Sequence, residues 1–264
     1  MSDDASDVIP HEHRRELRRL RLFAAWTNHD DTCAQNTQTS WVAAADGTHH
    51  IRHWLMDFGS TFGSGSVDLQ LPNLSYHFWL DLAQVKRDAL GFGLTTPYYR
   101  QVEWLDFLKY EGVGRWESEH FDPTGWRNDY PNPAFVRMTP RDAFRAAKIL
   151  MRFTREELHA IVGSAEFVDF EQAQYFLDVL VARQQRAGAF GFTAVNPLDA
   201  FSVTEATFEF ENLSETYGFV EPGSTSYEVA WSLHDNAAAS VRQTLGSPET
   251  LRSTRSALRR LSLW

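Results

Sequence analysis

An Asp46-Gly47 dipeptide between two runs of alternating residues, SWVAAAD (40–46) and HIRHWLMDF (50–58), constrains this chain more than any other local feature. Asp-Gly tolerates the left-handed backbone that a tight hairpin turn needs, and both flanks repeat with the period of two of a β-strand. The segment predicts an antiparallel hairpin. Before it, HEHRRELRRLRLFAAW (11–26) has neither Gly nor Pro, and Leu17, Leu20 and Phe23 or Ala24 recur at helical spacing. Pro10 suits the first turn of that helix, and the turn-forming TNHDD that starts at Thr27 ends it. After the hairpin, GSTFGSGS (59–66) has no periodicity and reads as a mobile loop.

The rest of the chain reads as mainly helical to about residue 195 and strand-rich from residue 200. DLAQVKRDALG (81–91) and YYRQVEWLDFLKY (98–110) are expected helices, whereas 111–138 is too rich in Gly, Pro, Asn and Asp for a long element. Thr139 and Pro140 open a helix with the apolar face Ala143, Phe144, Ala147, Leu150 and Met151. Thr154 with Glu157 forms a capping box for the next, and 170–186 carries Ala173, Phe176, Leu177, Leu180 and Val181 at helical spacing. Phe208 and Phe210, then Tyr227, Val229 and Trp231, alternate as strands, and SPETLRSTRSALRRLSLW (247–264) reverts to a basic helix with a solvated face. The fold class is α+β, mainly helical, with a small hairpin and C-terminal β-strands; the boundary falls between 1–198 and 199–264.

Composition excludes several classes of function. Nine Trp, eight Tyr and nineteen Phe supply ample area for a core, so the chain is not disordered over most of its length. Cys33 is the single cysteine, which rules out a disulfide framework and fits a reducing, cytoplasmic compartment. The formal net charge of −10 repels phosphate backbones, so nucleic acid is not an expected partner. No stretch approaches the ~20 apolar residues that span a bilayer, and the N-terminus has no signal-peptide core.

Chemistry concentrates at two places. NHDDTCAQN (28–36) lies on the loop directly after the first helix, and Asp57 ends the second hairpin strand in HWLMDFGS. Two acids and an amide from these loops could converge on one point if the loops are adjacent. Phosphoryl transfer needs such a set: carboxylates with phosphate oxygens hold a hard Mg²⁺, and a further carboxylate orients the attacking hydroxyl and takes its proton.

His29-Asp30-Asp31-Thr-Cys-Ala-Gln-Asn36 resembles the H-R-D-x-x-x-x-N loop of protein kinases, with the same Asp-to-Asn spacing, and Asp57-Phe58-Gly59 is similar to their D-F-G turn. MDFGSTFG also looks like the phosphoinositide-kinase and HipA-type branches. The resemblance covers residues 11–66 and implies a kinase-like C-lobe. It gives Asp31 the role of base, Asn36 and Asp57 the Mg²⁺, and Phe58 and Gly59 the nucleotide side of the turn. Gly59 would let the chain turn sharply, and His29 would be structural. Asp30 competes with Asp31 for the base role, because it stands where the family carries Arg. ATP and Mg²⁺ are the implied cofactors and an unknown hydroxyl compound the acceptor. Only 30 residues precede Asp31, and the first lysine is Lys86, so the family's N-lobe strands, Gly-rich loop and strand lysine are missing. That implies a truncated, partial gene product or a remnant, inactive alone, with an N-lobe supplied elsewhere. The alternative is a non-catalytic protein-binding module retaining the lobe.

Other candidates carry less. His49, His50 and His53 lack a cysteine partner and HExxH spacing, so they read as surface histidines on a hairpin rather than a zinc site. GSTFGSGS lacks the P-loop lysine, and no G-x-S-x-G elbow supports a serine hydrolase. Trp116, Phe121, Trp126 and Tyr130 could stack on a sugar or base, but an irregular segment of that length needs them to anchor it to the core.

Overall fold

Arg14 is extended (φ −71°, ψ 124°), and this one residue separates a short 3-10 turn, His11–His13, from helix α1 (Arg15–Thr27). The helix expected over 11–26 therefore starts four residues late. The computed structural model describes residues 9–92, 94, 96, 98–100, 102–104, 108, 110, 112–203, 207–252 and 261–262. Two compact units result, Met1–Val195 and Asn196–Trp264.

In the first unit, β1 (Thr37–Ala43) and β2 (His49–Leu55) pair antiparallel, with Thr37 opposite Leu55 and Ala43 opposite His49. β2 ends at Leu55, where its pairing with Thr37 ends. β1 starts three residues before the expected 40 and stops three short of the expected 46 because Asp46 leaves the ladder. Its carboxylate accepts from the Thr48 N–H (3.0 Å) and hydroxyl (2.6 Å), and Gly47 takes φ 82°. β3 (Ser64–Gly65), within the segment expected to be mobile, forms a two-residue ladder with β4 (Asp68–Leu69) just after it. α2 (Leu82–Leu90) is capped by Asp81. Of the helix expected over 98–110, Tyr98–Arg100 is a 3-10 turn, and much of the remainder lies outside the described residues.

α3 (Pro133–Val136), α4 (Pro140–Leu150), α5 (Arg155–Gly163) and α6 (Phe170–Thr193) complete this unit. Thr139 with Asp142 and Thr154 with Glu157 form reciprocal capping boxes, which satisfy backbone donors at the starts of α4 and α5. The core lies where α1 meets α3, α4 and α6. Leu17, Leu22, Ala24 and Ala25 of α1 are buried there with Ala143, Ala147, Leu150, Leu177 and Ala187. Small residues set the closest approach: a Cβ on Gly191 would meet the Ala147 Cβ at 2.4 Å.

The second unit orders β5 (Leu198–Val203), β6 (Thr207–Asn212) and β9 (Leu261–Ser262) as one antiparallel sheet, with α7 (Leu213–Thr216) after β6. β7 (Ser226–Asp235) pairs with β8 (Ser240–Arg252), and Phe210 and Tyr227 are buried with Leu198 and Phe208 packed on them. The basic helix expected over 247–264 is corrected here. Residues up to Arg252 extend along β7, Leu251 opposite Tyr227, and Leu261–Ser262 are strand, while 253–260 lie outside the described residues. The register slips between Val229, opposite Glu249, and Trp231, opposite Leu245, which leaves Pro248 in an irregularity that tolerates its missing N–H. Weak helix propensity yields to a ladder that another segment completes. Among the described residues no helix is long and apolar enough to cross a membrane.

Candidate functional site

The loop after α1 starts from a fixed base. Asn28 closes the helix in the left-handed region (φ 54°), a conformation Asn tolerates, and its N–H returns to the Ala24 and Ala25 carbonyls. Arg183, buried in α6, serves the same helix end. Its Nη2 donates to the Ala25 carbonyl (2.7 Å), Nε to Trp26 (2.9 Å) and Nη1 to Glu117 (2.9 Å). The guanidinium lies 4.5 Å from the Trp116 ring centre and 3.8 Å from that of Phe121. Burial pushes its pKa down to about 9. Trp26 returns the connection, its indole N–H donating to the Leu180 carbonyl at 2.9 Å.

The two acidic neighbours differ sharply. Asp30 is 2 % exposed, and its Oδ1 accepts from the Ser60 hydroxyl and the Gln70 amide. Burial pushes its carboxyl up to about 6, against the opposing pull of those two hydrogen bonds. Asp31 is only half-buried. Of the two residues competing for the base role, Asp30 is the one enclosed in protein and Asp31 the one that reaches solvent. His29 is 1 % exposed, with its ring centre 5.1 Å from that of Phe58. Neither ring nitrogen meets hydrogen-bond geometry, and burial lowers the pKa against the opposing pull of the Ser60 and Met56 backbone. The carboxylates of Asp31 and Asp57 both act on it in the opposite direction to burial.

Loop 28–36 and turn 56–60 are joined at several points. The Met56 N–H donates to the Asn36 carbonyl (2.9 Å), the Phe62 N–H to Thr27 (2.8 Å), and Ser60 to Asp30. Asn36 Nδ2 donates to the Asp31 carbonyl at 2.8 Å and closes the loop across the Asp-to-Asn spacing. Asp57 is exposed, and it rather than Gly59 carries the left-handed turn, at φ 57°. Its Oδ1 accepts from the Gly59 N–H at a long 3.4 Å. Gly59 matters for proximity: a Cβ there would stand 2.4 Å from the Ser66 hydroxyl oxygen. Phe58 is 60 % exposed even though it touches His29. Among the described residues, no three His, Cys, Asp or Glu side chains gather as a metal site would gather them.

The segment expected to be mobile is tied down. The Gly63 carbonyl accepts from Gln70 (3.0 Å) and Arg115 (2.9 Å), and a Cβ on Gly63 would lie 2.3 Å from the Arg115 carbonyl carbon. Its glycines allow two backbones to touch, and flexibility is not their role here. Of the hairpin histidines, His49 and His50 are exposed, His49 stacking on Trp41 at 5.6 Å. His53 is half-buried, its Nδ1 3.0 Å from the Thr39 hydroxyl and its ring centre 6.1 Å from that of His11. Trp116, Phe121 and Trp126 are buried anchors, whereas Tyr130 is 48 % exposed and stacks on Trp79.

Sequence reasoning missed Gln70, Arg183 and Asp129. Asp129 donates its N–H to the Asp30 carbonyl (2.8 Å), and burial together with the Asp31 carboxylate holds its own carboxyl above the usual range. None of the three sits in a motif, and each reaches the loop from at least forty positions away, so no local pattern could have found them. No family model, curated protein or solved structure matches this chain.

Proposed function

We propose that residues 1–195 form a kinase-like C-lobe whose 28–36 loop and 57–59 turn act on Mg²⁺-ATP, in phosphoryl transfer to a hydroxyl acceptor. The observation that carries the reading is the hydrogen bond from Asn36 Nδ2 to the Asp31 carbonyl. It commits the donor end of the amide to the backbone, so the end left for a cation is its carbonyl oxygen. Together with the exposed Asp57 carboxylate, this gives the oxygen donor set that a hard divalent ion prefers. Asn36 and Asp57 would hold Mg²⁺, which supplies charge neutralisation at the nucleotide phosphates when bound.

Each remaining residue has a distinct task. Asp31, half-exposed and next to Asp129, orients the acceptor hydroxyl and takes its proton. Asp30, protonated up to about pH 6 and enclosed by Ser60 and Gln70, holds the loop and takes no part in proton transfer. His29 links loop and turn through Phe58. The single cysteine is consistent with a cytoplasmic setting.

Thermal denaturation with and without Mg²⁺-ATP tests the reading. Nucleotide with metal is expected to raise the melting temperature, and Asp57→Ala to abolish the rise relative to that variant's own metal-free melt. No rise in the unaltered chain, or an equal rise in Asp57→Ala, overturns it. A non-catalytic docking module is the second reading. It is favoured by exposed apolar side chains along one segment, Leu71 (62 %), Trp79 (66 %), Leu82 (71 %) and Phe92 (91 %). Partner binding indifferent to nucleotide and to Asp31→Asn would select it.

A further inference from the structure

The first unit holds a cavity of about 470 Å³ that the loop chemistry does not use. It lies beyond the candidate site, with Asn28 and Gln70 at one end; Gln70 also carries the hydrogen bond to Asp30. The volume falls within the ~300–1,000 Å³ of small-molecule sites, and Tyr76, Tyr99, Trp104, Phe121 and Trp126 supply aromatic surface among lining residues that are mostly polar.

Two polar groups on its lining lack partners. Ser75, only 8 % exposed, has a hydroxyl with no hydrogen bond. Its backbone is left-handed (φ 73°) and is held there by the Arg127 N–H on the Ser75 carbonyl at 3.0 Å. Arg115 has a buried Nε without a hydrogen bond, and no ion pair among the described residues. Its side chain lies over Trp104 at 5.6 Å, and its backbone is pinned to Gly63, so the cation is held in position. Burial lowers its pKa with no carboxylate acting in opposition.

The acids around the cavity are committed elsewhere. Asp81 accepts from the Ala83 and Gln84 N–H groups, Asp122 from those of Thr124 and Gly125, and Glu117 from that of His120. The other buried cation, Arg183, is spent on backbone carbonyls. A half-buried guanidinium whose Nε has no acceptor, on the same lining as a buried, unsatisfied hydroxyl, is an unfavourable arrangement that an incoming anion relieves.

We propose that this cavity binds a small organic anion, a carboxylate or phosphate monoester on a flat apolar body. The anion sits on Arg115 and Ser75, and the body packs against the aromatic side chains. The proposal does not depend on phosphoryl transfer, and its test contains no nucleotide.

The probes are phenyl phosphate and phenylacetate, with the neutral benzyl alcohol and inorganic phosphate for comparison. They are titrated into the full chain labelled with ¹⁵N at its tryptophan indoles. At least one aromatic anion is expected to bind about tenfold or more tighter than benzyl alcohol and than inorganic phosphate, the scale of a charge-assisted hydrogen bond. It should shift the Trp104 and Trp126 indole signals and leave Trp41 and Trp54 on the hairpin unmoved. Whichever anion binds tighter identifies the head group. Arg115→Gln should erase the margin over the alcohol, and Ser75→Ala should reduce it. Equal binding of the neutral probe, no binding of either anion, or shifts confined to the hairpin indoles overturn the proposal. So does an undiminished margin in a folded Arg115→Gln. The comparison of probes in the unaltered chain decides the matter even if that variant does not fold.

Discussion

Asp30 is an acid kept where its neutral form is favoured. Its folded pKa of about 6 lies above the ordinary 3.8, so the folded chain binds more protons than the unfolded chain between those values. Stability attributable to this residue is therefore full below pH 4, falls as pH rises from about 4 to 6, and stays low above. Asp30→Asn retains an oxygen that accepts from Ser60 and Gln70 and has no charge to desolvate. It is expected to match or exceed the parent at pH 7.5, by up to about 2–3 kcal/mol, and to flatten the decline between pH 4 and 6. Urea denaturation across pH 4–8 reads both. Arg183 works in the opposite sense, as a buried charge with a full set of partners. Removing it by Arg183→Ala would take the side-chain donor from the carbonyls of Trp26 and Glu117 and leave Ala25 only the Asn28 N–H, and a loss of about 3 kcal/mol or more in chemical denaturation is expected. Neither environment was legible in sequence. Asp30 reads as one of a pair of loop acids and Arg183 as one polar residue within a long helix, because burial is decided by segments at positions 60, 70 and 117.

At the level of elements, two helical glycines in similar sequence contexts have different surroundings. A Cβ on Gly191 would press on Ala147 at 2.4 Å and on the Ala143 carbonyl at 2.8 Å, so Gly191→Ala forces α6 away from α4. A loss of about 1–3 kcal/mol is expected by thermal or urea denaturation. Gly163, at the end of α5, has nothing within 4 Å of such an atom, and Gly163→Ala is expected to be neutral or to stabilise by about 0.4–1 kcal/mol. The start of α1 was set by the extended Arg14. Those of α4 and α5 were legible because their chemistry is local: the Thr139 cap with Pro140, and the box of Thr154 with Glu157, act within four residues. The hairpin turn was legible for the same reason. The extended path of Ser247–Arg252 was not, since its partner strand begins at Ser226 and nothing in a basic, mixed-propensity stretch announces that pairing.

Across the whole molecule, the two units each have their own hydrophobic core, one where α1 meets α3, α4 and α6, the other around Phe210 and Tyr227. Calorimetry of the full chain is expected to resolve two transitions rather than one, since separately cored units violate two-state behaviour. The variants divide accordingly: Arg183→Ala should lower only the transition of Met1–Val195, whereas Tyr227→Ala should lower only the other. A single transition shifted by both variants would show that the cores unfold as one.

Sequence alone determined the α+β class, the caps, the hairpin and the order of loop and turn, because each depends on backbone preferences within a few residues. Which of Asp30 and Asp31 faces water, that the glycine-rich segment is clamped and not free, and that a cavity stands behind Gln70 were decided by the tertiary structure alone. Desolvation and close backbone approach depend on what the rest of the chain brings alongside, and a residue's neighbours in sequence carry no record of it.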